Sequence, residues 1–122
     1  PTSHAFNKKI KSIFEINKVI SKVKKNDPNC RFFVFSTRRF NFFKELNLPK
    51  NTIFLTHDDG YKGTIERMWL LSQCKHHIFN NSSFYWWGAW LSSKNHQSIK
   101  QIIYASDNFV NQDGYVKEWK KF

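Results

Sequence analysis

The segment His77-Ile78-Phe79-Asn80-Asn81-Ser82-Ser83 constrains the fold more than any other part of the chain. Its apolar start reads as a short buried strand, and its polar, small-residue end reads as a turn. The run Phe84-Tyr85-Trp86-Trp87-Gly88-Ala89-Trp90-Leu91 that follows reads as a helix. A strand that passes through a polar turn into a helix is the first half of a βαβ unit. It presents the free backbone N–H groups of the helix start to an anion.

The same alternation runs along the whole chain. Phe6, Ile10, Ile13, Phe14, Asn17 and Ile20 recur at helical spacing, and Ile16, Val19 and Val23 widen the stripe. This predicts an amphipathic helix over about residues 5–25, closed by Asn26-Asp27-Pro28. Arg31-Phe32-Phe33-Val34-Phe35 reads as a strand, residues 38–46 as a short helix stopped before Pro49, and Thr52-Ile53-Phe54-Leu55-Thr56 as a second strand. A helix is predicted over 64–74, capped by Thr64, then a strand over 77–80, a helix over 82–91 and a strand over 99–105. The tail with Tyr115, Trp119 and Phe122 suits a last short helix or an irregular cover. Helices alternating with short apolar strands predict an α/β fold, a Rossmann-like parallel sheet with helices on both faces, built as a single domain over residues 1–122. Ligands of such sheets bind at the carboxyl ends of the strands. The element order puts the loops Ser36-Thr37-Arg38, Thr56-His57-Asp58-Asp59-Gly60 and Asn80-Asn81-Ser82-Ser83 there.

Composition narrows the class. Hydrophobic content of 40% and aromatic content of 18% over 122 residues are enough for a core and exclude a disordered chain. No apolar run approaches the ~20 residues of a membrane helix, and the first ten residues lack a secretory-leader pattern. A start at Pro1 is read as a piece of a longer protein. Cys30 and Cys74 make neither a disulfide framework nor a metal site and read as buried thiols, which fits a cytoplasmic protein. The net charge is +11, and much of the excess lies on the first helix, in Lys8, Lys9, Lys11, Lys18, Lys22, Lys24 and Lys25. A basic helix suits nucleic acid, another anionic partner, or the anionic inner face of the cell membrane, where the protein would be peripheral. A solvated lysine face explains it equally well.

Few residues carry candidate chemistry. Asn81, Ser82 and Ser83 at a helix start suit a phosphate, although an ordinary N-cap uses the same residue types. The glycines of a dinucleotide fingerprint and the Gly-Lys-Ser/Thr of a Walker loop are missing. Trp86 and Trp90 share a helix face, where core packing is a better reading than sugar stacking. His57, Asp58 and Asp59 offer an acid–base set, or a carboxylate for a ribose hydroxyl or a guanine edge, but not metal-ligand spacing. Glu66 is either stabilised by its helix start or turned towards a nucleotide base. His76 is expected to be exposed and His77 packed, and no nucleophile triad can be assembled.

The run Asn81-Ser82-Ser83-Phe84-Tyr85-Trp86-Trp87-Gly88-Ala89-Trp90-Leu91 resembles the N-S-[ST]-F-S-W-W-x-A-W-L signature of the α-1,2-fucosyltransferases, glycosyltransferase family 11. Three further segments, in the same order, resemble the family's motifs. Asn29-Cys30-Arg31-Phe32-Phe33-Val34-Phe35-Ser36 is similar to its x-x-F-F-V-F-S-D-D strand and loop. Met68-Trp69-Leu70-Leu71-Ser72-Gln73-Cys74-Lys75-His76 is similar to D-M-Y-L-M-S-L-C-K-H, and Lys100-Gln101-Ile102-Ile103-Tyr104-Ala105 with Phe109 to K-I-V-I-A-P-K-K-W-F. The resemblance implies the C-terminal half of a GT-B enzyme that is inverting and metal-independent. Such an enzyme moves L-fucose from GDP-β-L-fucose to a galactose 2-hydroxyl of a surface glycan or lipopolysaccharide precursor. It implies that Asn81, Ser82 and Ser83 hold the donor's pyrophosphate, with Phe84 beside them and Ser36 in the loop near the nucleotide. The chain departs from the pattern at Thr37-Arg38, where the family has an acidic pair, and at Arg67, where it has an acidic residue. Glu66, Asp58 or Asp59 are then the carboxylates left for the nucleotide. The family's H-x-R-R-G-D motif, whose arginine neutralises the leaving diphosphate, is absent, so the chain alone is expected to bind donor weakly and not to turn over, with no catalytic residue assigned. The missing N-terminal half-domain is the implied partner. Two other readings stand beside this one: a basic α/β module that binds RNA, with aromatics as stacking platforms, and a non-catalytic remnant of the fucosyltransferase fold.

Overall fold

A computed structural model of the chain describes residues 11–80, 82–107 and 116–122. Along the chain these form helix α1 (Ile13–Asn26), strand β1 (Phe33–Ser36), strand β2 (Ile53–Thr56), helix α2 (Thr64–Gln73), strand β3 (His77–Phe79), helix α3 (Ser83–Asn95), strand β4 (Ile103–Ala105) and strand β5 (Lys120–Lys121). Two 3₁₀ turns, Asn41–Glu45 and His57–Asp59, follow β1 and β2. The strands form two ladders, β1 with β2 and β3 with β4 with β5, and every pairing is parallel. The fold is therefore α/β, with parallel strands and helices on both faces, as the alternation requires.

The β3–β4 ladder sorts its side chains by the two-residue period of a strand. Phe79, Ile103 and Ala105 face α3 and pack against Ala89, Tyr85, Trp86, Trp90 and Trp119. Ile78, Ile102 and Tyr104 face the other way and meet Val19 and Val23 of α1. This second cluster also takes in Cys30 and Phe32, from the approach to β1, and so joins the two ladders. Burying a Val or Phe side chain contributes roughly 1.5–3 kcal/mol, so these two layers dominate the stability. Aromatics help fill this interior: Trp119 packs edge-on against Phe79 at 5.7 Å and lies 5.7 Å from Trp86.

Several sequence expectations are corrected. The helix predicted over 5–25 starts only at Ile13; Lys11 and Ser12 are not helical, and residues 1–10 lie outside the described residues. Ser12 is the N-cap: it accepts from Glu15 N–H while the Glu15 carboxylate accepts from Ser12 N–H, a capping box that outranks the continuing apolar stripe. Residues 38–46 form a five-residue 3₁₀ turn instead of a helix, because Phe40, Phe42 and Phe43 stack on one another and on Phe54, not along one helical face. The cap of α2 is Gly63, not Thr64, and its side of the helix end has no side-chain bond. Helix α3 runs one turn past residue 91, and β4 is shorter than 99–105, with Ile99 exposed in a turn. The tail supplies strand β5 rather than a helix, pairing Tyr104 with Lys120 and Ala105 with Lys121; Tyr115 is outside the described residues.

His76 is the other correction. Its side chain is nearly buried, donating to Asp27 Oδ2 at 3.0 Å and accepting from Ile102 N–H at 3.0 Å, so it ties the end of α1 to the amino ends of β3 and β4. His77 is packed as expected, within 3.1 Å of the Cys74 carbonyl. No helix among the described residues is long and apolar enough to cross a membrane.

A Cβ on Gly88 would lie 2.8 Å from Leu71 Cβ, so α2 and α3 approach through a glycine. Gly88→Ala is expected to lower stability by about 1 kcal/mol net in urea unfolding, the overpacking of ~1–3 kcal/mol exceeding the ~1 kcal/mol helix-propensity gain. Burial pushes the His77 imidazole down to about 4 from 6.5. A folded-state value below the unfolded one means that the unfolded chain binds the extra proton. Stability is then full above pH 6.5 and is lost as pH falls towards 4, by on the order of 3 kcal/mol. Unfolding free energies measured across that window should fall in the parent chain and flatten in His77→Gln.

Candidate functional site

The parallel strands send the loops after β1, β2 and β3 to one edge, and side chains link them there. The β1 and β2 loops are joined by backbone and carboxylate. His57 N–H donates to the Thr37 carbonyl at 3.1 Å, and Asp58 accepts from Arg39 N–H at 2.9 Å. Asp59 binds the Arg39 guanidinium at 3.0 Å, and that guanidinium also lies 4.1 Å over the Phe54 ring. Thr56, fully buried, donates its hydroxyl to Asp59 Oδ2 at 2.6 Å and accepts from Asp59 N–H at 3.2 Å. Gly60 closes this turn at φ +94°, a left-handed conformation that suits glycine.

Arg67 joins the β2 loop to the start of α3. It lies on the inner face of α2, four residues before buried Leu71, and is only 5% exposed. Its Nη1 donates to His57 Nε2 at 3.0 Å, which leaves the His57 proton on Nδ1. Its Nη2 donates to the Tyr85 hydroxyl at 3.3 Å, and the guanidinium sits 5.4 Å from the centre of the Phe84 ring. Burial pushes the Tyr85 phenol up, and the Arg67 charge opposes that shift. No carboxylate pairs with Arg67 among the described residues. The two buried side-chain polar atoms left without a partner there are Arg67 Nε and, at the end of β3, Asn80 Oδ1. Helix α3 adds a third unfilled requirement: its N-cap Ser82 makes no side-chain cap bond, so the Ser82 hydroxyl does not take up the first N–H groups of the helix.

Each residue singled out in the sequence can now be placed. Ser36 is half-buried at the end of β1, opposite Thr56, and accepts from Arg38 N–H at 3.4 Å. Ser82 is half-buried and Ser83 exposed at the start of α3, Phe84 packs edge-on against Tyr85 at 5.3 Å, and Asn81 lies outside the described residues. Asp58 and Asp59 serve the loop-to-loop clamp with Arg39. Glu66 is exposed and folds back over Gly63, next to where a Gly63 Cβ would lie. No group of three His, Cys, Asp or Glu side chains among the described residues has the geometry of a metal site. The sequence reading did not single out Tyr85 or Asn80, and it noted Arg67 only as a departure. A guanidinium on the apolar stripe of a helix, in register with Leu71, was the available signal.

A parallel α/β domain whose carboxyl edge gathers a helix start and a buried cation has the elements from which anion sites are made. Comparison with known proteins agrees with the resemblance of its motifs: the model of Glycosyl transferase family 11 matches residues 6–122, and the chain belongs to that family. It is 42% identical over 75 residues to an Alpha-1,2-colitosyltransferase of Escherichia coli, an alignment that covers 58% of this chain and 24% of that protein. The chain thus spans about a quarter of that relative's length in the alignment. No solved structure matches.

The Thr56 hydroxyl holds the edge together at no surface exposure. Thr56→Val keeps the shape and removes the donor to Asp59, and is expected to cost about 1–2 kcal/mol in thermal or urea unfolding. A change within 0.3 kcal/mol would show that the clamp does not depend on this bond.

Proposed function

We propose that this chain is the donor-nucleotide domain of an α-1,2-fucosyltransferase-type enzyme, a single Rossmann-like unit that holds GDP-β-L-fucose for transfer to a galactose 2-hydroxyl of a surface glycan. The observation that carries the reading is the family match over residues 6–122, with the signature run falling on the β3–α3 turn and the start of α3. The pyrophosphate meets the N–H groups of Ser83 and Phe84 and the Ser82 hydroxyl at the positive end of α3. The nucleotide extends towards Ser36 and the Asp58–Asp59 clamp at the ends of β1 and β2. The domain acts without a metal, its positive charge coming from the helix dipole and from arginine. Bond formation belongs to the whole transferase, in a GT-B arrangement with an acceptor-binding domain.

Colitose as the transferred sugar is a second reading, favoured by the α-1,2-colitosyltransferase relative. It keeps the linkage and changes only the sugar.

Isothermal titration of the chain with GDP, GDP-fucose, GDP-colitose, ADP and a short RNA tests the proposal. Saturable GDP binding, at least tenfold tighter than ADP and unchanged by EDTA, is the expected result. Tighter binding of GDP-colitose than of GDP-fucose would favour the second reading. RNA binding that weakens steeply with salt, without any response to GDP, would replace both with a nucleic-acid module.

A further inference from the structure

We infer that Arg67 is an anion-binding residue of this site: its buried guanidinium takes the diphosphate of the nucleotide together with the N–H groups at the start of α3. The inference rests on the donor-binding reading above and deepens it by naming the cation that meets the phosphates.

A guanidinium keeps its charge at any physiological pH and offers five N–H donors. Arg67, at 5% exposure, has only neutral partners: the His57 ring nitrogen, the Tyr85 hydroxyl and the Phe84 ring. Two of its donors are used, and Nε is buried without an acceptor. Neutral acceptors and a ring face offset part of the desolvation of a cation, but not all of it. Nearby acids do not serve it. Asp58 and Asp59 are bound to Arg39, and Glu66 folds over Gly63. A buried charge left in this state is a liability for the empty protein and an asset once an anion arrives.

Its position says which anion. Tyr85 and Phe84 belong to the first turn of α3, so the guanidinium stands beside the uncapped helix start. Two independent positive features converge on one place, a dipole end whose cap residue makes no side-chain bond and a fixed cation. A diphosphate presents oxygens to both at once, with the guanidinium able to bind it in bidentate fashion. Asn80 Oδ1, the other buried atom without a partner, lies at the end of β3 just before the same turn and offers an acceptor to a ligand hydroxyl.

The test separates a binding role from a structural one. Arg67→Met keeps the length and removes the charge. The full chain and this variant are titrated with GDP, guanosine and inorganic pyrophosphate, and their unliganded thermal unfolding is compared. A ligand-binding Arg67 predicts a GDP Kd raised at least about 30-fold, unchanged guanosine binding, loss of the pyrophosphate response, and an unliganded Tm equal to or above that of the parent. Arg67→Lys should recover part of the GDP affinity, since it restores charge without the fork. An unliganded Tm several degrees lower, with GDP affinity in the folded variant unchanged, would make Arg67 a structural tie and overturn the inference while leaving the donor-binding reading intact. Equal losses for GDP and guanosine would overturn it in the same way. Pyrophosphate binding that depends on Arg67, with GDP and ADP indistinguishable, would uphold the inference and sink the guanine reading. No response of the parent chain to either GDP or pyrophosphate would sink both.

Discussion

The approach of α2 to α3 through Gly88 sets the geometry on which the site depends. Leu71 fills the space that any larger residue at 88 would need. Arg67 lies one turn before Leu71 on α2, and Phe84 lies one turn before Gly88 on α3. The contact that closes the helix pair therefore also fixes the distance at which the guanidinium meets Phe84 and Tyr85. Packing and function are not separable here. A helix pair held further apart would still cover the sheet, but the cation would no longer reach the first turn of α3. The density of protein interiors makes such a displacement costly, which is how a glycine at a helix contact can govern the geometry beside it.

The fold was largely legible because its signals are local and repeat. Apolar runs such as Phe32-Phe33-Val34-Phe35 and Ile102-Ile103-Tyr104-Ala105, set between helical stripes, leave few alternatives to a parallel sheet. What escaped the sequence reading depended on contacts between distant residues. The tail becomes strand β5 because Tyr104 and Ala105 offer it an edge to pair with, sixteen residues away in the chain. His76 is buried because Asp27 and the backbone of Ile102 both bind it, at sequence separations of 49 and 26 residues. The start of α1 was missed for the opposite reason: the capping box at Ser12 and Glu15 is local, but an apolar stripe running through it masked the signal.

The same division applies to the site. The three loops at the carboxyl ends of β1, β2 and β3 follow from strand order, and with them the placement of Ser36, Asp58, Asp59, Ser82 and Ser83. Which residues occupy one another, however, is decided by tertiary contact. The sequence offers His57, Asp58 and Asp59 as one acid–base set. In the structure the two carboxylates turn to Arg39, and His57 turns to Arg67. The clamp and the cation thus divide the polar residues of this edge between them, one holding loops together and the other left with unused donors.

A buried, unpaired charge runs against the ordinary logic of stability, under which an ionised group is kept in water or given a counter-ion. Arg67 breaks this rule next to a helix start whose Ser82 makes no side-chain cap bond, and Asn80 leaves an acceptor unspent at the end of β3. Random frustration would scatter such atoms over the molecule. Among the described residues the two unpartnered buried side-chain atoms instead belong to Asn80, in the β3–α3 connection, and to Arg67, against the first turn of α3. A site prepared in this way gives up some stability in the empty state and needs little reorganisation when an anion enters, because the charge is desolvated and its direction is set by Phe84, Tyr85 and His57 before binding begins.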